Sequence, residues 1–208
     1  MKTDAYTPDA ICKSMGMPSF EEDPDCSCAA EAIRLLLKPS FHPEICITFA
    51  DGKVSVVCAR FMIWHQFEPS PMLTDRDRGA VPPAVAASLI SSMTPVVHPG
   101  AVPGITIDGM PTDLLHFRSG SVALRVGGNA GRKGNFSGFI AQAIATAWEH
   151  ISNPYCRNSL AQAGEYVNRS LPRDVEPPQR KPTIETRVLG SSEDRAELLA
   201  ALKQHHDR

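Results

Sequence analysis

Aromatic residues are scarce in this chain, at 6% of the total, so a core has to be filled by Val, Leu, Ile, Ala and Met. Neither sign of charge dominates. Lys and Arg number 21 against 23 Asp and Glu, a formal net charge of −2. That supplies no long-range pull toward phosphate backbones or anionic lipid, and it disfavours nucleic acid as a partner. Long apolar runs are also missing. The first twenty residues hold two lysines but none of the roughly 7–15-residue apolar stretch of a secretory leader, so a cytoplasmic location is expected. Nothing reaches the ~18–20 apolar residues of a membrane-spanning helix; even the run 54–67 is broken by Arg60, His65 and Gln66. No membrane partner is therefore expected.

What is present is ordinary globular material. Hydrophobic residues make up 42% of the 208 and charged residues 21%, enough to build one core with tails. Eighteen prolines punctuate it and predict long loops. Six cysteines stand at 12, 26, 28, 46, 58 and 156; without a leader they read as free thiols rather than a disulfide frame.

The predicted fold class is α+β: an antiparallel sheet, made of a hairpin over 44–67 and a meander over 104–126, packed against an amphipathic helix over 135–151, with further short helices. Residues 1–26 show no period and read as an irregular arm. The domain proper is expected over 27–171, a proline-rich linker over 172–190, and a C-terminal helix and tail over 191–208. In the row SCAAEAIRLLL, Ala30, Ile33 and Leu37 fall at helical spacing, with Asp25 or Ser27 as cap and Pro39 as stop, which predicts a helix over 27–37. Asp51-Gly52 between two β-rich runs predicts a two-residue hairpin turn. The second of those runs is apolar on both faces and should be covered on both sides. Four prolines and alternating charge over 68–83 predict a mobile surface loop.

A short helix is expected over 84–93, from Val85, Leu89 and Met93 at four-residue intervals. Three strands, ITID, TDLLHFR and VALRV, follow, turning at Asp108-Gly109 and Ser119-Gly120. The strongest element is the helix over 135–151. Phe136, Phe139, Ile140, Ala143, Ile144, Ala147, Trp148 and Ile151 form one stripe over four turns, with Asn135 as cap and Asn153-Pro154 as stop. Another helix is predicted over 157–170 with Leu160, Gly164 and Val167 inward. A last one carries Leu198, Leu199 and Leu202.

Few residues suggest chemistry. The glycine-rich LRVGGNAGRKGNF leads from a strand into the main helix, where anions bind, and Arg132 and Lys133 are its candidate anion-binding residues. Yet it lacks both the Ser or Thr that follows the lysine of a phosphate loop and the G-x-G-x-x-G of a dinucleotide site. Cys12, Cys26, Cys28, His42 and Cys46 are soft metal ligands, but C-x-C followed by a distant H-x₃-C lacks the paired spacing of zinc sites. Seven histidines at 42, 65, 98, 116, 150, 205 and 206 single out no activated nucleophile. No metal, cofactor or catalytic residue is assigned.

The resulting expectation is a non-catalytic, cytoplasmic protein-interaction protein, of the kind that immunity, antitoxin or accessory proteins exemplify, with a protein as partner. Its surface is expected at Asp75, Arg76, Asp77 and Arg78, or on the apolar face of Phe61, Ile63 and Trp64. Two alternatives stand beside it. One is a small hydrolase or transferase using Cys and His; the other is an anion- or nucleic-acid-binding domain using Arg118, Arg125, Arg132 and Lys133, although base-stacking aromatics are absent there apart from Phe117.

Overall fold

Two turns set the sheet. Asp51 and Gly52 (φ 49° and 68°) and Ser119 and Gly120 (φ 51° and 77°) take the left-handed conformation that a two-residue hairpin needs. The computed structural model describes residues 6–63, 73–93, 109–131 and 134–173. Its strands are β1 (Glu31–Leu37), β2 (Ile45–Ala50), β3 (Lys53–Ala59), β4 (Thr74–Ala80), β5 (Pro111–Arg118) and β6 (Ser121–Asn129). They form one six-stranded sheet in the order β4-β3-β2-β1-β5-β6, every pairing antiparallel. The expected α+β class is what the chain adopts.

The two faces of the sheet bury different sets. Ile33, Leu35, Leu37, Ile45, Ile47, Phe49, Val54, Val56, Cys58, Leu114 and Val126 join the larger core under the helices α3 (Pro83–Met93), α4 (Asn135–His150) and α5 (Pro154–Tyr166). Ala32, Leu36, Cys46, Val57, Ala59, Leu115 and Phe117 point the other way. They meet Ile11, Met15, Phe20 and Cys26 from α1 (Pro8–Ser14), α2 (Pro24–Cys28) and the segment between them. The expected cover on both sides of the strand after Asp51-Gly52 holds for β3, which ends at Ala59; beyond it Phe61 is exposed.

Four local expectations are corrected. Residues 27–37 are not a helix: they hold the end of α2 and all of β1. Ala, Glu, Arg and Leu favour helix intrinsically, but β1 lies between β2 and β5 and is buried on both faces, and tertiary burial overrides propensity. Within the expected irregular arm over 1–26, the described residues 6–26 are not irregular but hold α1 and the start of α2. Thr7 caps α1, Asp23 caps α2, and the apolar residues between them cover a sheet face. Residues 68–83 do not avoid the sheet, since β4 occupies 74–80 between the prolines and pairs with β3. Asn135 is not a cap: the position belongs to Gly134, with no side-chain bond, whereas Asn153 caps α5 by accepting from the amides of Tyr155 and Cys156.

The main helix otherwise matches its stripe, with Phe136, Phe139, Ile140, Ala143, Ile144 and Ala147 buried and Trp148 packed at the margin of the core. The helix over 84–93 and the inward Leu160, Gly164 and Val167 are also as expected. Described residues all fall within one compact unit, Met1–Pro177. The first meander strand (105–108), Trp64, Arg132 and Lys133, the linker beyond 173 and the C-terminal helix lie outside the described residues.

Candidate functional site

Arg34 interrupts the apolar row of β1 and faces the N-terminal layer, fully buried. A guanidinium there needs partners for its donors. Nη1 donates to the carbonyls of Ser19 (2.6 Å) and Phe20 (3.0 Å), Nη2 donates to that of Pro18 (3.4 Å), and Nη2 lies 3.2 Å from Asp23 Oδ2. Burial disfavours its charged form, but Cys46, Cys12 and Asp23 outweigh that and hold it above its ordinary pKa. Asp23 in turn accepts from the amides of Asp25 and Cys26 at the start of α2. One arginine thus fastens residues 18–26 to the middle of the sheet.

The Asp75–Arg78 row makes sense as an edge strand, in which alternate residues face opposite ways. Asp75 and Asp77 turn to the helix side. Asp75 is nearly buried with Arg60 at 3.3 Å, while Asp77 Oδ2 accepts from the amides of Ser152 and Asn153, both at 2.6 Å, where α4 gives way to α5. Burial would raise the Asp77 pKa, but the amides of Asn153, Ser152 and Arg78 outweigh it and lower the carboxyl below its ordinary value. Arg76 and Arg78 turn to the other face. Arg76 Nη2 donates to the carbonyls of Met15 (2.6 Å) and Gly16 (2.9 Å), and Arg78 Nη2 pairs with Asp25 at 2.6 Å.

Between these arginines and the N-terminal layer the sheet carries Thr48 and Ser55, small polar side chains that give the layer nothing apolar to settle on. A groove results, formed by two adjoining depressions of about 520 and 230 Å³. Thr48, Ser55 and Val57 form its floor, Pro18, Pro24 and Asp25 stand on one side, and Arg76 and Arg78 on the other. Lys53 and Cys28 sit at its end, both exposed.

The other sequence candidates do not converge on it. Phe61 is exposed, but Ile63 is buried beneath the N-terminal layer with its amide donating to Glu44. Arg118 lies 3.5 Å from Glu31, which also holds the buried His116 at 2.9 Å, whereas Arg125 pairs with Glu21 of the N-terminal segment. These two arginines belong to different clusters and make no common patch. Cys12, Cys26 and Cys46 are buried together, Cys28 is exposed, and His42 is bound to the Tyr166 hydroxyl at 3.0 Å. Among the described residues no group of three His, Cys, Asp or Glu is placed to hold a metal ion.

Sequence reasoning missed Arg34, Asp23, Thr48, Ser55 and Lys53. Arg34 alone left a signal, as the one charge inside the otherwise apolar run 32–37. No protein-family model, curated protein or solved structure matches this chain. No helix among the described residues is long and apolar enough to cross a membrane.

Proposed function

We propose that this chain is a protein-interaction domain whose groove between β4 and the N-terminal layer receives an extended, acidic segment of a partner protein. The single observation that carries the reading is the Arg78–Asp25 pair. Both side chains are more than half exposed, and such pairs stabilise a fold by only ~0–1 kcal/mol. An incoming carboxylate therefore replaces Asp25 at Arg78 at little cost. Lys53 adds an exposed cation beside it, while the half-buried Ser55 offers a hydroxyl on the floor. Nothing in this lining pairs a nucleophile with a base, so its chemistry is that of recognition.

This is the kind of contact an immunity, antitoxin or accessory protein makes with its target. A cytoplasmic setting agrees with cysteines that are all free. The test is selection of short displayed peptides on the folded protein, followed by binding of the selected peptides to wild type and to the Lys53→Ala/Arg78→Ala variant. Peptides rich in Asp and Glu are expected. Their binding should weaken as salt rises, fall by about tenfold or more in the variant, and shift the amide resonances of Thr48, Ser55 and Arg78. Selection of neutral or basic peptides, or binding undiminished in the variant, overturns the reading.

A further inference from the structure

We infer that the outer edge of β6 is an interface between two copies of this chain, which pair antiparallel about Val126 and join their sheets into one. The inference stands apart from the groove and its ligand. β6 is the last strand of the sheet, and among the described residues no strand pairs with its outer side. The ladder fixes which backbone groups face outward. Ala130 donates to the Met110 carbonyl across the β5–β6 pair, and on the far side of β5 the Lys38 amide donates to Pro111. Alternation along an antiparallel pair then turns the N–H and C=O of Leu124, Val126 and Gly128 toward β5 and those of Arg125 and Gly127 outward. A row of such open groups is a template for another strand.

The opposite edge of the sheet is closed, which makes it the control. By the same alternation the amide of Arg78 on β4 faces outward, but Asp77 Oδ1 accepts from it at 2.8 Å, and Gly79 lies against the His150 carbonyl at the end of α4. On β6, Val122, Ala123, Arg125 and Gly127 are exposed. Arg125 is the one charge of the strand, and Glu21 of its own chain matches it, so two copies can meet without bringing unpaired like charges together.

The strand itself sets the register. At one end the pairing with β5 shifts between His116 and Phe117, and at the other Asn129 Oδ1 accepts from the amides of Met110 and Gly131. The regular stretch between them is Leu124–Gly128, with Val126 at its midpoint. Pairing about Val126 uses all of that stretch and sets Arg125 of each copy opposite Gly127 of the other, where the two exchange backbone hydrogen bonds. Pairing about Arg125 would instead oppose two arginines, which is destabilising. Gly127 has no reason within its own chain to be glycine. Its backbone is not left-handed, and an added Cβ would make only an ordinary contact, 3.5 Å from Asp113 Oδ1. Glycine weakens a strand, and one of its uses there is to let another backbone approach closely. In this register it leaves room for the Arg125 side chain of the other copy.

The experiment follows the full chain, under reducing conditions, by sedimentation from about 5 µM to about 500 µM, a range suited to a short edge contact. Amide hydrogen exchange is read at both ends of that range. The weight-average mass should climb from one chain toward two, and exchange at Arg125 and Gly127 should slow by about tenfold or more, with the β4 amides of Arg76 and Ala80 unchanged. Gly127→Pro removes an outward donor at a place where an edge strand tolerates proline, and Gly127→Lys sets a lysine opposite Arg125. Both should stay monomeric, with thermal melts showing that they fold. Since Gly127→Pro can fail to fold, Gly127→Lys carries the variant arm. A chain that stays monomeric at the highest concentration overturns the inference, and so do edge amides already slow in the monomer, which would mean that the chain covers its own edge. A dimer that leaves Arg125 and Gly127 exchanging fast, or one undiminished in folded Gly127→Lys, overturns it equally.

Discussion

Arg34 of β1 and Asp23 at the start of α2 meet at 3.2 Å, with the arginine side chain fully buried and the aspartate almost so. Neither end of this pair is dispensable alone. Arg34→Met leaves the Asp23 carboxylate and the carbonyls of Pro18, Ser19 and Phe20 without their donor, and removing one partner of a buried pair costs about 3–5 kcal/mol. Arg34→Met/Asp23→Asn also removes the stranded charge and should recover part of that loss. Urea unfolding of the three proteins checks it, and a double variant no more stable than Arg34→Met would show that Asp23 is not what Arg34 neutralises.

Arg76 makes a separate, local prediction. It reaches from the edge strand to the carbonyls of Met15 and Gly16 at the end of α1, so Arg76→Ala should loosen that end of the N-terminal layer by about 1 kcal/mol. Hydrogen exchange should speed up for α1 amides and stay unchanged for the middle of α4. Equal acceleration in both would mean that Arg76 supports the whole fold.

Which parts of this architecture were legible depended on how many neighbours an element has to satisfy. The α4 stripe from Phe136 to Ala147 faces one core, and a helix covered on one side announces itself by its period. The Asp51-Gly52 turn was equally readable, because its chemistry is local. β1 was not: with both faces buried it has no polar alternation, and its Leu and Ala content imitates a helix. Charge in β4 hid its strand for the opposite reason. Asp75 and Asp77 serve the helix side, Arg76 and Arg78 the N-terminal side, so each charge has a partner from a distant part of the sequence. The groove was illegible for the same reason, since its lining joins residues 17–28 to Thr48, Ser55, Arg76 and Arg78 from strands distant in sequence.

Asp77 should couple stability to pH. Burial opposes its ionisation, but the amides of Asn153, Ser152 and Arg78 prevail and depress its pKa in the folded chain. A carboxylate lowered in this way stabilises the fold fully above its unfolded value near ~3.9, and loses that effect as pH falls through the lower folded value. Asp77→Ala should therefore cost about 1 kcal/mol at neutral pH, a figure kept small because the group is only partly buried and solvent screens it. Denaturant titrations of both proteins should show the gap narrowing below about pH 4. A gap that stays constant down to strongly acidic solution would mean that the amide bonds do not favour the charged form.

Two glycines should respond to alanine with opposite signs. At Gly79 on β4, an added Cβ would fall 1.5 Å from the His150 carbonyl oxygen and 2.6 Å from its carbon. Both are backbone atoms at the end of α4, so they cannot turn aside, and either the edge strand or the helix end has to move. Overpacking of this kind costs about 1–3 kcal/mol, and because Asp77 hangs on the same strand, its bonds to Ser152 and Asn153 should weaken together with it. At Gly138, in the first turns of α4, nothing lies within 4 Å of the new methyl and the backbone is already helical. Alanine there removes only freedom that the unfolded chain enjoys, so the protein should gain about 0.4–1 kcal/mol. Thermal melts of Gly79→Ala and Gly138→Ala should thus move in opposite directions from wild type. If Gly79→Ala melted at or above the wild-type temperature, β4 would not lie against the end of α4 as described.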